Sequence, residues 1–343
     1  MKYRTDVIVL KTDDSGEMRP EQRRLLEEQI SRSTLVYGMG MGSEALAQFY
    51  DVPYIMILET DLLTQIILSH TQVVSPLRKI SRTLKVTWNY FAHTLPKVRR
   101  AMAIHCNGYP IHDAMSWVSR SRLLYLDSRM AANLVISEEA LATRLATRCH
   151  RPLKLLYSGR YEKLKGAVDA VEVGISAVKL GLDVEMHCYG SGSQVSQMRR
   201  LVDAASMAKR IHIHEAVSFP ALVSLSKDFD IFVCCHIQSD PSCTYLESFG
   251  AGLPIVGYGN RMWRRLSEES HVGAWSPIGQ PENVASHLRG LMENTSLLDE
   301  MSRRARSFAL KHCFENEFGR RTEALNQALV GAKQSQPACA ARP

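Results

Sequence analysis

From Leu153 to Glu293 the chain alternates short apolar runs with segments of helical period, and this rhythm narrows its possible folds. Apolar runs fall at 153–158, 184–189, 210–214, 230–235, 254–258 and 271–275. Helical patterns fall between and after them, at 164–180, 193–206, 218–227, 244–251, 260–268 and 281–293. Short strands alternating with helices in this way predict an α/β fold with a parallel sheet between two helical layers. The stretch from Asp230 to Val256 shows the unit most clearly. An apolar strand leads into Ser239-Asp240-Pro241-Ser242-Cys243-Thr244, then a short helix carrying Glu247. Ser242 or Thr244 can cap that helix, Gly252 can end it, and Pro254 bars it from continuing. Ligands of open parallel sheets bind outside the carboxyl ends of the strands, so Asp240 and Glu247 fall where a carboxylate can hold a pair of sugar or ribose hydroxyls.

The first half is less regular. Strands are expected at 7–10, 35–37, 54–58, 102–106 and 123–126, with helices at 19–32, 44–50, 111–119 and 138–150. At 343 residues the chain has room for two domains, and Arg151-Pro152 is the expected junction. The glycine run Gly38-Met39-Gly40-Met41-Gly42 is either a tight strand-to-helix turn or a point where substrate approaches the backbone. Glu59, Thr60 and Asp61 close the strand at 54–58; they are loop acids or part of a site. Further helices are expected at 297–311 and about 315–331, and the tail from about 332 has no period and is expected to be disordered.

Composition is that of an ordinary globular protein, 45% hydrophobic and 22% charged, and no window is apolar enough for a transmembrane helix. The most apolar stretch, 52–75, is broken by Glu59 and Asp61. The N-terminus lacks the apolar core of a signal peptide, and the cysteines show no Cys-x-x-Cys pairing, so reduced thiols and a cytoplasmic location are expected. Net charge is +7, concentrated in one place: Arg78, Lys79, Arg82, Lys85, Lys97, Arg99 and Arg100 lie in a segment, 76–104, without an acid. No helix-turn-helix or zinc-finger pattern accompanies them, so nucleic acid is not an expected partner. The segment predicts a helix or helix pair broken near Pro96. In it Leu77, Ile80, Leu84, Trp88, Phe91 and Leu95 form an apolar stripe beside the basic face. The stripe either packs on the core or lies on an anionic lipid surface.

Two further loops carry chemistry. Ser158-Gly159-Arg160 follows the strand at 153–158, and Lys165-Gly166 opens the next helix. A guanidinium, an ammonium and a helix start can together hold a diphosphate, although the P-loop pattern is absent. Gly190-Ser191-Gly192 closes the following strand and lets backbone approach a ligand. His212 and His214 alternate on a strand without carboxylate or cysteine partners at metal spacing, so they are expected to be core or surface residues.

In chain order these features are strand–Gly-Arg-x4-Lys-Gly, strand–Gly-x-Gly, then strand–acid loop–Glu–Gly-x-Pro. The order strongly resembles the donor-binding domain of GT-B-fold glycosyltransferases, specifically the large retaining family four, of glycosyl transferases group 1 type. The resemblance covers roughly 152–312, and more weakly 34–136. It implies two Rossmann-like doubly wound domains facing across a cleft. Residues 1–150 would be an acceptor-side domain shortened at its start, 151–312 the nucleotide-sugar donor domain, 313–331 a helix crossing back, and 332–343 the tail. The implied activity is transfer of a sugar from a nucleoside diphosphate-sugar to an acceptor hydroxyl with retention, without a cofactor or metal. The implied acceptor is a carbohydrate or lipid-linked sugar of bacterial surface polysaccharide or glycolipid assembly, met at the inner face of the membrane.

Carried over by position, Arg160 and Lys165 match the basic pair that binds the diphosphate and supports its departure, on loops that include Gly159 and Gly190. Glu247 matches the acid that binds ribose. The family's spacing puts its sugar-contacting acid at Ser239, and Asp240 would replace it one residue later. Thr244, Tyr245 and Leu246 match positions where backbone amides face the diphosphate. Glu59 stands where relatives often carry a histidine, and would orient the sugar or the acceptor hydroxyl. The short start and the shifted acid also fit a catalytically silent nucleotide-sugar-binding or partner subunit.

Overall fold

A computed structural model describes residues 19–39, 42–71, 73, 75–239 and 241–335. The expected strand at 7–10, Gly40, Asp240 and the last residues of the tail lie outside the described residues.

There are two parallel sheets. The first contains β1 (Val36–Gly38), β2 (Tyr54–Leu58), β3 (Ala103–Asn107) and β4 (Arg122–Tyr125), side by side in chain order. The second contains β5 (Leu153–Ser158), β6 (Val184–Tyr189), β7 (Ile211–His214), β8 (Ile231–Cys234), β9 (Ile255–Tyr258) and β10 (Gly273–Ser276). Its order is β10-β9-β8-β5-β6-β7. The chain therefore winds outward from β5 in one direction, returns, and winds outward in the other. The reversal falls between β5 and β8, where an open sheet has its ligand crevice.

Apolar residues on both faces of β5 explain its central position. Leu155 and Tyr157 pack with Val184, Met186 and the helix Ala167–Lys179 on one side. Leu156 packs with Phe232, Phe249 and Trp263 on the other. The first domain has its own smaller core around Met56, Ile104, Ile111 and Met115. The seven described cysteines are all free thiols. No helix among the described residues is long and apolar enough to cross a membrane.

The basic segment differs from expectation in two ways. It does not break near Pro96. The α-helix Pro76–Asn89 passes through a π-helical turn, Tyr90–Thr94, straight into Leu95–Arg100. The wider turn accommodates the missing proline donor and the bulk of its ring. Packing on the core is also overturned for most of the stripe. Leu77, Ile80, Leu84, Trp88 and Phe91 are 79%, 58%, 65%, 70% and 50% exposed, while Leu95 is buried. The helix is held from its other side: Arg82 donates to the Ser69 carbonyl (2.8 Å), and the His70 ring meets Thr83 (2.8 Å). His70 ends a helix, Leu62–His70, left unassigned in the sequence.

The expected helix at 111–119 lies earlier, at Tyr109–Ala114, with Pro110 in its first turn. The last helix, Phe314–Ser335, runs four residues into the expected tail. It returns to the first domain. Glu317 accepts from the Leu126 amide (3.1 Å), Arg320 donates to the Leu124 carbonyl (3.0 Å), and Arg321 lies over the Tyr125 ring (4.2 Å).

Candidate active site

The loop after β5 is built for close backbone contact. The Gly159 amide donates to the Tyr189 carbonyl (3.0 Å) and the Tyr161 amide to that of Ser191 (2.8 Å). A Cβ on Gly190 would stand 1.9 Å from the Gly159 carbonyl oxygen, so only glycine fits between these loops. Gly166 has φ +61°, and a Cβ there would lie 2.0 Å from the Cys235 carbonyl oxygen at the end of β8. The loop is thus pressed against both neighbouring strand ends. The Tyr157 hydroxyl pins it from below by donating to the carbonyls of Arg160 (3.1 Å) and Lys165 (3.3 Å). Arg160 is exposed, and Lys165 is buried. Ser158, Gly159, Arg160, Tyr189, Gly190 and Val217 border a cavity of about 260 Å³.

Across the crevice, β8 continues into His236, which is fully buried and was not singled out in the sequence. Burial, then the positive charges of Lys165 and Arg160, push this imidazole well below its ordinary pKa, so it stays neutral. The loop is tied to the exit of β8, since the Ile237 amide donates to the Leu164 carbonyl (3.0 Å), and this sets Lys165 at the switch point. The His236 Nδ1 has no partner among the described residues. Its carbonyl accepts from Asn260 Nδ2 (3.0 Å), which also reaches the Tyr245 hydroxyl (3.1 Å). Asn260 in turn caps the helix Arg261–Ser270. The Ser239 hydroxyl accepts from the Arg261 amide (3.1 Å), which fixes the strand's exit.

Glu247 lies on the helix Thr244–Gly250, with Cys243 at its cap position. Neither Ser242 nor Thr244 caps this helix by a side-chain bond; instead the Ser242 hydroxyl meets that of Thr244 (3.0 Å). The Tyr245 amide is used within the first turn, donating to the Ser242 carbonyl (3.2 Å), and the Tyr245 ring stacks on Trp263 at 5.9 Å. Leu246 is buried in the core. The Glu247 carboxylate is buried and accepts from Arg129 Nε (2.9 Å) and Nη2 (2.6 Å) on one oxygen. Burial raises its pKa, and Arg129 only partly offsets this. Arg129 comes from the loop after β4 and also lies over the Phe219 ring at 4.5 Å.

Other contacts join the domains. Arg261 pairs with Asp61, which caps the helix Leu62–His70 by accepting from the Thr64 amide (3.0 Å). The Cys243 thiol lies 3.7 Å from an Asp127 oxygen. Glu59 is exposed at the end of β2 and borders a different cavity, of about 190 Å³, with Met39, Tyr90, Thr94 and Met115. No hydrogen bond or ion pair among the described residues joins Glu59 to Arg160, Lys165 or Glu247. The structure thus gathers Arg160, Lys165, Gly159 and Gly190 at the switch point, sets Glu247 on the adjoining helix, and leaves Glu59 on the other domain.

Two such α/β domains, loop ends facing and the last helix returned to the first, constitute a GT-B fold. The family model for glycosyl transferases group 1 matches residues 147–308. Solved structures agree in fold. HepE of Anabaena in complex with UDP has a TM-score of 0.66 at 14% identity, over 90% of this chain and 82% of that one. Sucrose-phosphate synthase from Thermosynechococcus elongatus has a TM-score of 0.66 at 13% identity, over 95% and 83%. A glycosyltransferase from Rickettsia africae has a TM-score of 0.65 at 11% identity, over 94% and 84%. No curated protein matches the sequence.

Proposed function

We propose that this protein transfers a sugar from a nucleoside diphosphate-sugar to an acceptor hydroxyl, with retention of anomeric configuration. One observation carries the reading: the loop bearing Arg160 and Lys165 is pressed onto the end of β8 at the switch point of the second sheet, where Gly166 meets the Cys235 carbonyl. In the transfer, the bond from the anomeric carbon to the diphosphate oxygen breaks, the diphosphate keeps the electron pair, and the acceptor oxygen bonds to the carbon. The demand on the protein is to stabilise the departing charge. A guanidinium offers paired donors and an ammonium a point charge, in a site partly shut off from water. A neutral His236 adds no competing charge.

The cavity of about 260 Å³ next to Arg160 is the place for the nucleoside. HepE of Anabaena has been solved with UDP and with UDP-glucose, which makes uridine donors the first to test here. Glu247 receives the ribose hydroxyls, exchanging at least one bond with Arg129. Asp240 contacts the sugar, and Glu59 orients the acceptor hydroxyl from the first domain. No metal or cofactor enters this reading.

The acceptor is a lipid-linked sugar of bacterial surface polysaccharide assembly, reached at the inner face of the membrane. The exposed stripe of Leu77, Ile80, Leu84, Trp88 and Phe91 beside Arg78, Lys79, Arg82 and Lys85 supports this. Full burial of one such apolar side chain is worth roughly 1.5–3 kcal/mol. Each cation near an anionic surface adds about 1 kcal/mol.

The test is incubation with UDP-, GDP- and ADP-sugars plus membrane extract, following nucleotide release and product. Turnover that Arg160→Ala lowers strongly, with donor affinity lowered by Glu247→Ala, supports transfer. A second reading is a silent nucleotide-sugar-binding subunit, favoured by Arg129 already occupying Glu247. Binding without release from any donor would select it.

A further inference from the structure

β6 alternates strictly. Val184, Met186 and Cys188 are buried in the core, and Glu185, His187 and Tyr189 turn to the opposite, half-exposed face. β7 pairs with it so that His212 stands beside His187 and His214 beside Tyr189. The register thereby brings together residues of two strands whose facing partners stand 25 positions apart in sequence. Glu185 Oε1 lies 2.9 Å from His187 Nε2 and 3.3 Å from His212 Nε2. The donor atoms of the three side chains lie within 4.8 Å of one another. The other nitrogen of His187, Nδ1, is 3.0 Å from His214 Nε2.

We propose that Glu185, His187 and His212 form a binding site for one divalent ion of the zinc class, with His214 as the outer partner that orients His187. Ligand atoms about 2.1 Å from a tetrahedral ion stand roughly 3.4 Å apart, and the two short separations here are already close to that. Two imidazoles and a carboxylate are a donor set that zinc and its neighbours accept. A proton on His187 Nδ1, donated to His214 Nε2, leaves the Nε2 lone pair for the ion, the usual arrangement for a metal-bound imidazole. The ligand side chains keep 19–31% of their surface in solvent, which leaves an entry path and a fourth position for water. Lys154, in register with Glu185 on β5, is the cation that opposes the site.

The site adjoins the nucleoside cavity. The Tyr189 ring stacks on His214 at 4.4 Å, and Tyr189 also borders the cavity beside Arg160. The Tyr161 hydroxyl donates to the His214 carbonyl (2.7 Å). An ion clamping β6 to the edge strand β7 therefore braces one wall of that cavity.

The test is titration of the full chain with Co2+, followed by Zn2+ competition, with a parallel thermal melt. One Co2+ per chain is expected, with visible ligand-field bands of nitrogen and oxygen ligation, displaced by Zn2+, and a melting temperature raised by Zn2+. His187→Gln and His212→Gln should each weaken binding at least tenfold, and His214→Phe by about 10–100-fold, as outer partners of metal ligands do. Glu185→Gln, nearly isosteric on a half-exposed face, covers the case in which a histidine variant does not fold. Absence of stoichiometric binding overturns the proposal. So does a spectrum dominated by thiolate charge transfer, or binding that survives all of these substitutions.

Discussion

The two sheets share strand direction but not winding, and that difference assigns their roles. In the second sheet the chain reverses between β5 and β8, so two loops diverge and leave a crevice at the strand ends. Arg160 and Lys165 lie on the loop after β5, which packs against the end of β8. The first sheet runs β1 to β4 without reversal among the described residues. It offers instead the loops after β2, β3 and β4, which meet the second domain, and an exposed apolar and basic helix. A reversal creates a place for a ligand; a sequential sheet supplies a wall and a surface.

If the switch point is the donor site, substitutions there should far outweigh those in the first domain. Arg160→Ala should lower turnover by about 10²–10³, as loss of one preorganised charge-stabilising donor does, while leaving the fold intact because Arg160 is exposed. Steady-state kinetics with a circular dichroism control checks this. Glu247→Ala should act on donor affinity. Loss of a hydrogen bond to a charged group costs about 1.5–3 kcal/mol, which is roughly 10–150-fold in Kd by calorimetry.

On the first-domain side, replacing Arg78 and Lys85 by Gln should weaken sedimentation with anionic vesicles about 30-fold, from about 1 kcal/mol each, and leave nucleotide binding unchanged. Unchanged sedimentation would remove the membrane role from that domain. The smallest effect should come from Arg129→Ala. Glu247 is already raised by burial, and removing Arg129 raises it further. A raised carboxyl holds its proton more tightly when folded, so its contribution to stability is present at low pH and is lost as pH rises through the raised value. The variant should therefore shift the acid limb of donor binding to higher pH and lose a little stability near neutrality, as pH-resolved melts would show.

How much was legible follows from the kind of contact. Arg160, Lys165 and Glu247 stood out because each follows a strand in a local pattern, on its loop or on the helix after it, and the alternation of strands and helices placed the second sheet almost residue for residue. Arg129, His236 and the Asp61–Arg261 pair did not, because their partners are remote in sequence and come close only through the fold. The His187–His212 neighbourhood is likewise a product of strand register. The stripe from Leu77 to Phe91 was visible as a period, but a period shows one apolar face without showing what covers it. The helix Leu62–His70 was hidden in an apolar run too short to distinguish strand from helix.

The most direct measurement is calorimetric titration of UDP, GDP and ADP into the wild-type chain and into Arg160→Ala/Lys165→Met. If the switch point binds the donor diphosphate, one nucleotide binds the wild type at one site per chain, and the double variant loses at least a hundredfold in affinity while melting normally. Equal affinity in both proteins, or no binding of any of the three to the wild type, would contradict it.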